Sequence, residues 1–466
     1  MKKGSLILLL IIVTSGSFYY AVEVGWLAWL APLPFLLLGS RFSSWSLFAM
    51  ATLSYWIGSL SWWKAESFIL SFPLFLSFHM IYALVFATLM VWIRNSKVVW
   101  LYPLGWTAFE FLVTLLSPHG TWGSVVYTQT DYLPLLQNAA ILGSSGVVFL
   151  VCSFPAALAY VLQQRVWNKK MVGKAGLIIL VLLLAATWGF FRIHGPLDDT
   201  QVRVGLTAAN ETVPHVRSEI DLQNILLVEE SMSQIGLLKE QGVEIVVLPE
   251  KLFYVTSDYQ VEVESIFAKA AVDNQVYLVV GIKLEQPDGL HNVAWVYAPT
   301  GERFIQYDKI HLIPGLEGDY VHGKRAMWLN DFQQRIGVAI CKDLDFPTTI
   351  RSYGQEQVGL LLVPAWDWLH AEEIHARMAI VRGIENGFSI ARTSKEGLVT
   401  VSDKYGRILA ESSTFEVERA SVITDVPISP TQTTYSRWGD WFAWFVVLIT
   451  TVVGYRSSVR KKFISQ

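Results

Sequence analysis

Residues 335–347 read RIGVAICKDLDFP, an apolar run that ends in a cysteine and is followed by charged residues and a proline. A run such as RIGVAI is typical of a buried strand, and Pro347 breaks the regular structure after it. Cys341 is therefore predicted at the edge of a sheet, where the sites of α/β proteins gather. A lone cysteine is more often an inert, buried hydrophobe, which is our interpretation of Cys152 in its apolar segment. Position alone thus does not make Cys341 catalytic.

Two other predicted strand ends carry residues that suit a reactive thiol. Glu250 ends VEIVVLPE, and Lys309 ends RFIQYDK. A thiol is mostly protonated at neutral pH, so it needs a base such as Glu250, while a cation such as Lys309 favours the thiolate and binds an oxyanion. Each residue also has an ordinary interpretation, as a solvated glutamate or as a lysine paired with Asp308. Together with Cys341 they predict a Glu-Lys-Cys site.

The segment around this predicted site alternates between short strand-like runs and helical stretches. Strand-helix-strand units mixed with hairpins predict a layered α/β sandwich rather than a doubly wound sheet. The stretches that carry this prediction are strands in VRVGLTA (202–208), VYLVVGIK (276–283) and GLLLVPAW (359–366), helices near 216–241, 260–273 and 370–386, and a hairpin turn at KYG (404–406).

The first half of the chain has a different composition. Of the 466 residues, 53% are hydrophobic and 16% are charged, where soluble domains have about 25% charged residues. This composition excludes a wholly soluble, a disordered or a disulfide-rich protein. Because a helix needs roughly 17–25 mostly apolar residues to span a bilayer, we predict about seven membrane helices. They lie near 5–20, 25–39, 45–62, 68–93, 98–117, 136–163 and 174–191.

The first two of these segments are short, so a re-entrant pair is an alternative to two full spans. An eighth apolar stretch, WFAWFVVLITTVVGY (441–455), precedes a basic tail. Threading the spans in order places the basic loops on one side, which predicts cytoplasmic termini. The predicted organisation is a membrane domain (1–195), an extracytoplasmic catalytic domain (196–435), and a closing helix with a basic cytoplasmic tail (436–466). With a net charge of −3 and no extended basic block, the chain is not expected to bind nucleic acid.

Three motifs carry a resemblance to a known family. LPE (248–250), YDKIHLIPG (307–315) and AICKD (339–343), in this order, resemble the Glu-Lys-Cys motifs of the nitrilase, or carbon-nitrogen hydrolase, superfamily, whose fold is an α-β-β-α sandwich. The apolar half adds PLGWTAFEFL (103–112) and GTWGSVVYTQTDYLPLLQ (120–137). The whole chain is thereby similar to the apolipoprotein N-acyltransferases, the membrane-embedded branch of that superfamily. The resemblance implies a multi-pass protein of the bacterial inner membrane, with its catalytic domain facing the periplasm or the cell exterior.

The resemblance also implies a role for each matching residue. Glu250 matches the general base, Lys309 the triad lysine, and Cys341 the nucleophile that becomes acylated. Glu317, in IPGLEGDY, matches a supporting glutamate, and the amide of Lys342 is a candidate second oxyanion donor. The implied reaction moves a phospholipid acyl chain, through a thioester, to the N-terminal amine of a diacylglyceryl-cysteine on an apolipoprotein. The implied partners are the phospholipid, the lipoprotein and the membrane, and no cofactor is implied.

The chain departs from the usual pattern of these acyltransferases in three places. Lys342 and Asp343 follow the nucleophile where an aromatic residue and a glutamate are usual. Leu248 stands where tryptophan is usual, and PGLEG (314–318) replaces a PFGE-like segment.

Other functions stay open on the sequence. A membrane-tethered amidase would use the same triad with water as acceptor, and a divergent N-acyltransferase would use another amine. A transporter or scaffold with a decayed hydrolase domain is a non-enzymatic reading. The nine histidines are scattered and His370 and His375 are five apart, so no metal site is predicted. For PAWDW (364–368) and the helix that carries His375, Arg382 and Glu385, packing and a solvated helix face are expected.

Overall fold

The computed structural model describes residues 3–67, 71–163, 169–195, 200–210, 215–216, 221, 229–330, 332–368 and 370–464. The chain forms two compact units. The first consists of residues 1–194 and 438–466, and the second of residues 195–437.

The first unit is helical. Nine α-helices are described before the second unit begins: α1 (Lys3–Tyr20), α2 (Leu33–Leu38), α3 (Ser44–Gly58), α4 (Trp63–Glu66), α5 (Phe72–Ser96), α6 (Leu101–Leu116), α7 (Leu133–Leu136), α8 (Ala139–Leu162) and α9 (Lys169–Ile193). By length and composition, α5 and α8 could each cross a membrane. Shorter apolar helices cover Gly4–Tyr20, Leu101–Leu116, Ile179–Ile193 and Trp441–Arg456.

The apolar segment 25–39 is not one continuous helix. It consists of a 3-10 helix at Gly25–Trp29 and the short helix α2, and a second 3-10 helix begins at Gly39. Pro32 and Pro34 lack the amide hydrogen that a continuous helix needs. The buried Gln129 side chain contacts the irregular backbone, because its amide nitrogen donates to Gly25 O at 3.1 Å. This hydrogen bond joins the 3-10 helix to a residue about a hundred positions further along the chain.

The second unit contains fourteen described strands and five described helices. The strands are β1 (Gln201–Ala209), β2 (His215–Val216), β3 (Ile245–Val247), β4 (Phe253–Val255), β5 (Tyr277–Gln286), β6 (Gly289–Tyr297), β7 (Arg303–Asp308), β8 (Met327–Leu329), β9 (Arg335–Val338), β10 (Val358–Trp366), β11 (Ser389–Lys395), β12 (Leu398–Ser402), β13 (Ile408–Ser413) and β14 (Arg419–Pro427). The helices are α10 (Glu229–Glu240), α11 (Gln260–Asn274), α12 (Pro347–Gln355), α13 (Glu372–Asn386) and α14 (Thr434–Trp438), after which α15 (Trp441–Ile464) belongs to the first unit.

The strands form two sheets. One has the order β14-β1-β3-β5-β4-β2, with β6 paired to β5 and β7 paired to β6. The other has the order β13-β12-β11-β10-β9-β8. The predicted hairpin turn at 404–406 is confirmed, since it joins β12 to β13. The helix predicted near 216–241 is described from Glu229 to Glu240, and residues 217–220 and 222–228 of that prediction lie outside the described residues.

Apolar side chains fill the space between the sheets and also both outer faces. Val204 and Val247 of the first sheet share one core cluster with Val338 and Leu362 of the second. The other face of the first sheet packs against α11 through residues such as Phe267. Residues of α12 and α13 pack on the other face of the second sheet. The predicted layered α/β sandwich is therefore confirmed, with four layers in the order α-β-β-α.

The strand that leads to Cys341 is shorter than its sequence predicts. Strand β9 ends at Val338, and Cys341 begins a 3-10 turn that extends to Asp345. The Ala339 amide still donates to Leu362 O at 3.1 Å, but the Ile340 amide donates to the Asp343 carboxylate. The Ile340 amide thus donates to a side chain instead of to a carbonyl of the neighbouring strand, and the chain leaves the sheet just before Cys341.

We expect Gly359→Ala to destabilise the second unit. A methyl group at this buried position of β10 would lie 1.6 Å from Ile428 O, and the strand register shifts at the same place. A backbone atom cannot move aside cheaply, so a loss of about 2 kcal/mol or more is expected, measured as a lower thermal midpoint of the full chain in detergent.

Gly236→Ala is the matched control, because a methyl group on that helical glycine meets only the Asn274 side chain, at 3.6 Å. Helix propensity predicts a gain of about 0.5–1 kcal/mol there. Equal thermal midpoints for the two variants would contradict this account of Gly359.

Candidate active site

The loop after β3 carries Glu250 into the interior. The Leu248 amide donates to Val279 O at 2.8 Å, which extends the strand pairing up to Pro249. Gly281 on β5 leaves space for Glu250, since a methyl group on Gly281 would lie 2.5 Å from the Glu250 Cα. Glu250 is 1% exposed. The ordinary interpretation of Glu250, as a solvated glutamate at a strand end, is therefore wrong.

Lys309, directly after β7, binds the Glu250 carboxylate. Its Nζ lies 2.9 Å from Glu250 Oε1 and 3.0 Å from Glu317 Oε2, and the lysine side chain is fully buried. Asn292 Nδ2 joins the same group, because it donates to Glu250 Oε1 at 2.6 Å and to Glu317 Oε1 at 2.8 Å. The four side chains thus form one closed polar cluster inside the sandwich.

Glu317 is brought into this cluster by the loop that follows Lys309. Its Oε2 accepts the Ile313 amide at 2.8 Å, and its Oε1 also contacts the Lys251 ammonium. Burial alone would raise the pKa of Glu317, but Lys309 and Lys251 outweigh it and lower that pKa to about 2. Burial would likewise lower the pKa of Lys309, and Glu250 and Glu317 instead raise it well above its usual value. Lys309 and Glu317 are therefore both charged at neutral pH.

Cys341 lies beside the cluster in a strained conformation. Its φ angle is 41°, in the left-handed region that residues with a Cβ rarely adopt. The thiol donates to Trp366 O at 3.6 Å, and the Glu250 amide donates to the preceding carbonyl, Ala365 O, at 3.3 Å. Burial raises the pKa of the thiol, the Glu250 carboxylate raises it further, and Lys309 lowers it. Two consecutive residues of β10 thus hold the cysteine and the glutamate.

Glu250 keeps one oxygen available. Oε1 accepts from Lys309 and Asn292, whereas Oε2 has no hydrogen-bond partner among the described residues. A buried carboxylate oxygen without a donor is costly and is expected to serve a purpose. The oxygen suits a general base that accepts a proton from a thiol or an amine.

Asp343 anchors the turn that presents Cys341. One of its oxygens accepts the Tyr307 hydroxyl at 2.6 Å and the Ile340 amide at 3.1 Å, and the other accepts the His311 amide at 2.8 Å. Burial raises the pKa of Asp343 to about 6, against the effect of these hydrogen bonds. The neighbouring Lys342 ammonium lies 3.0 Å from Asp345 Oδ2, so only its backbone amide is a candidate oxyanion donor.

Sequence reasoning missed the roles of Asn292 and Asp343. Asn292 is an isolated amide in the apolar strand HNVAWVY, a weak signal that a buried partner exists. The expected solvated helix face is wrong, because His375, Arg382 and Glu385 are all buried. Within the described parts of the chain, no group of three or more His, Cys, Asp or Glu side chains could hold a metal ion.

We expect Glu317 to stabilise the fold at neutral pH and to stop doing so in acid. Its pKa is lowered from 4.5 to about 2, so its contribution is complete above pH 4.5 and is lost as the pH falls towards 2. Glu317→Gln should lower the thermal midpoint at neutral pH. Between pH 4.5 and 2, it should also reduce the pH dependence of the free energy of unfolding, by up to about 1.4 kcal/mol per pH unit.

Glu356→Gln is the control, since the Glu356–Arg335 pair is 44% exposed on both sides. Its removal should cost less than about 1 kcal/mol at any pH. An unaltered acid dependence in Glu317→Gln would contradict the assignment of the low pKa.

Two sequence profiles match the chain. Residues 211–434 match the carbon-nitrogen hydrolase family, and residues 12–157 match the apolipoprotein N-acyltransferase N-terminal domain. The apolipoprotein N-acyltransferase of Geobacter metallireducens is 26% identical over 394 residues, which are 77% of this chain and 74% of that protein. The enzyme of the same name from Rickettsia bellii is 20% identical over 421 residues, 84% of this chain and 82% of that protein.

A solved amidase from Nesterenkonia sp. is similar to part of the chain, with a TM-score of 0.42 and 22% identity, over 50% of this chain and 94% of the amidase. The two profile matches lie in the two units of the structure, one in each. The chain is therefore similar over most of its length to apolipoprotein N-acyltransferases, and its second unit matches the carbon-nitrogen hydrolase family.

Proposed function

We propose that this protein transfers an acyl chain from a phospholipid to the N-terminal amine of a diacylglyceryl-cysteine on an apolipoprotein. One observation carries the proposal: a chain whose helical unit matches the N-terminal domain of apolipoprotein N-acyltransferases also buries Glu250 and Lys309 in contact, beside Cys341. A carboxylate, an ammonium and a thiol are the groups that thioester chemistry requires. The similarity to apolipoprotein N-acyltransferases favours this function over a hydrolase.

The first half-reaction acylates the cysteine. Glu250 Oε2 accepts the thiol proton, and the sulfur of Cys341 attacks the ester carbonyl carbon of the phospholipid. Lys309 Nζ and the Lys342 amide stabilise the oxyanion of the tetrahedral intermediate. The C–S bond forms, the C–O bond breaks, and the proton on Glu250 passes to the departing alkoxide. A lysophospholipid leaves, and a thioester stays on Cys341.

The second half-reaction restores the enzyme. The free amine of the acceptor attacks the thioester carbonyl, the C–N bond forms, and the C–S bond breaks. Glu250 removes the amine proton and returns a proton to the Cys341 sulfur, so that every proton is accounted for. Glu317 and Asn292 touch neither sulfur nor carbonyl here, and instead they hold Lys309 and Glu250 in the required geometry.

The proposal includes a membrane location for the first unit. Both substrates are lipids, and α5 and α8 have the length and composition of membrane-crossing helices. We place about seven helices of residues 1–195, together with α15, in the bacterial plasma membrane. Residues 196–435 face the periplasm or cell exterior in this arrangement, and the basic tail lies in the cytoplasm, as the distribution of Lys and Arg predicts.

Replacing the nucleophile tests the proposal directly. Purified full-length protein is incubated with a phospholipid and a diacylated lipopeptide, and the peptide is weighed by mass spectrometry. Cys341→Ala should form no acyl-thioester and should lower N-acylation by at least about a thousandfold, because the covalent intermediate is lost.

Cys152→Ser is the matched control. This second cysteine is buried in α8 of the other unit, outside the Glu250 cluster, and its replacement should leave N-acylation at the wild-type level. N-acylation that survives in Cys341→Ala would end the proposed mechanism.

The products separate the transferase from an amidase-like hydrolase. With phospholipid alone, the wild type should release one lysophospholipid per enzyme and hold the acyl chain on Cys341. Added lipopeptide should then take up that chain as an amide, with little free fatty acid. Fatty acid as the main product, with the lipopeptide still diacylated, would identify water as the acceptor. Acylation of a simple amine but not of the lipopeptide would identify a divergent acceptor.

A further inference from the structure

A buried ion pair adjoins the cysteine and has no part in the mechanism above. Arg392 Nη1 donates to Asp367 Oδ2 at 2.8 Å, and the other terminal nitrogen of Arg392 contacts Oδ1. His375 Nδ1 lies 2.9 Å from Asp367 Oδ1. The side chains of Asp367 and Arg392 are at most 1% exposed. Because a buried ion pair often contributes little net stability, its position calls for another explanation.

The backbone of Asp367 links this pair to the site. Asp367 follows directly on the two residues of β10 whose carbonyls accept the Cys341 thiol and the Glu250 amide. Its own amide donates to Lys395 O, at 2.9 Å, on the neighbouring strand. The side chain that binds Arg392 therefore belongs to the piece of chain that sets where nucleophile and base lie.

The largest electrostatic effects on the thiol pKa come from four charged side chains. Beyond burial, Glu250 and Asp367 raise the pKa of Cys341, and Lys309 and Arg392 lower it. The first anion-cation pair is the proposed catalytic one, and the second is the pair on β10 and β11. Each pair combines an anion with a cation, and the two pairs belong to different sheets.

Other cations near the cysteine are already engaged. Lys342 pairs with Asp345 at 3.0 Å. Lys395 Nζ lies 4.0 Å from the centre of the Trp366 ring and donates to Lys251 O at 3.0 Å. Each of these two ammonium groups therefore has a partner of its own near the site.

We propose that Asp367 and Arg392 are positioning residues for Cys341. Their ion pair fixes the end of β10, and their opposite charges offset each other at the Cys341 sulfur. Breaking the pair from either side loosens the same strand end. The charge left behind differs, however: Asp367→Asn leaves a cation beside the thiol, and Arg392→Gln leaves an anion. A purely structural pair would make both variants behave alike, whereas a charge-balancing pair makes them diverge.

The test measures the reactivity of Cys341 in the full-length protein in detergent. Iodoacetamide alkylation is followed over a series of pH values and assigned to the Cys341 peptide by mass spectrometry, so that Cys152 does not interfere. Asp367→Asn should be alkylated faster than wild type and Arg392→Gln more slowly, by about tenfold for each unit by which the thiol pKa moves. N-acylation should fall in both variants, because the strand end is loosened.

Two further variants keep the test decisive. Arg392→Lys retains the charge and should stay near the wild-type alkylation profile, even if it melts earlier. Glu385→Gln breaks another buried pair, Arg382–Glu385 at 2.8 Å, whose two side chains both lie on α13. It should change the melting temperature without changing the alkylation profile.

Alkylation that shifts in one direction, or not at all, in both Asp367→Asn and Arg392→Gln would overturn the inference. The inference rests on the proposed function only in taking Cys341 as the reactive thiol. If wild-type protein acylates no lipopeptide while the two variants still diverge in alkylation, the proposed function fails and the inference stands.

Discussion

The site depends on a lysine that is buried with its charge. Lys309 is fully buried, and an isolated ammonium in such a place would cost several kcal/mol. Contacts with Glu250 and Glu317 offset this cost, and Asn292 donates to one oxygen of each carboxylate. Since each group is costly to bury without the others, the cluster fixes the geometry of the proposed base before any substrate arrives. The contact that stabilises the buried charge of Lys309 therefore also holds Glu250, the proposed catalytic glutamate, in place.

The fold brings the cysteine to this cluster through backbone, not through a side-chain contact. Consecutive carbonyls of β10 accept the Glu250 amide and the Cys341 thiol, so the end of one strand sets the relation between the proposed base and the proposed nucleophile. Strand β10 runs parallel to both β9 and β11 and is buried along nearly its whole length. Left-handed strain at Cys341 persists because Asp343 ties its turn on two sides.

The sequence predicts those parts of the site that chain connectivity determines. An apolar run followed by a polar residue identifies a strand end, and this suffices for Glu250, Lys309 and Cys341. The same pattern does not predict the contact between Asp367 and Arg392. These residues are 25 positions apart and meet only because β10 and β11 are neighbours in the sheet. The charged residues of α13 are expected on a solvated face, because helical periodicity does not reveal that other elements cover that face. The broken helix at 25–39 has a local cause in its prolines, but its contact with Gln129 is equally non-local.

Asp343 explains why a departure from the family pattern next to the nucleophile is compatible with the proposed chemistry. The position usually holds a glutamate in the acyltransferases that the chain resembles. Both oxygens of Asp343 are occupied by donors from its own turn and from the β7 segment. A carboxylate bound in this way cannot exchange a proton with substrate without releasing the turn. Its shorter side chain therefore changes how the turn is anchored, while proton transfer stays with Glu250, whose second oxygen has no other donor among the described residues.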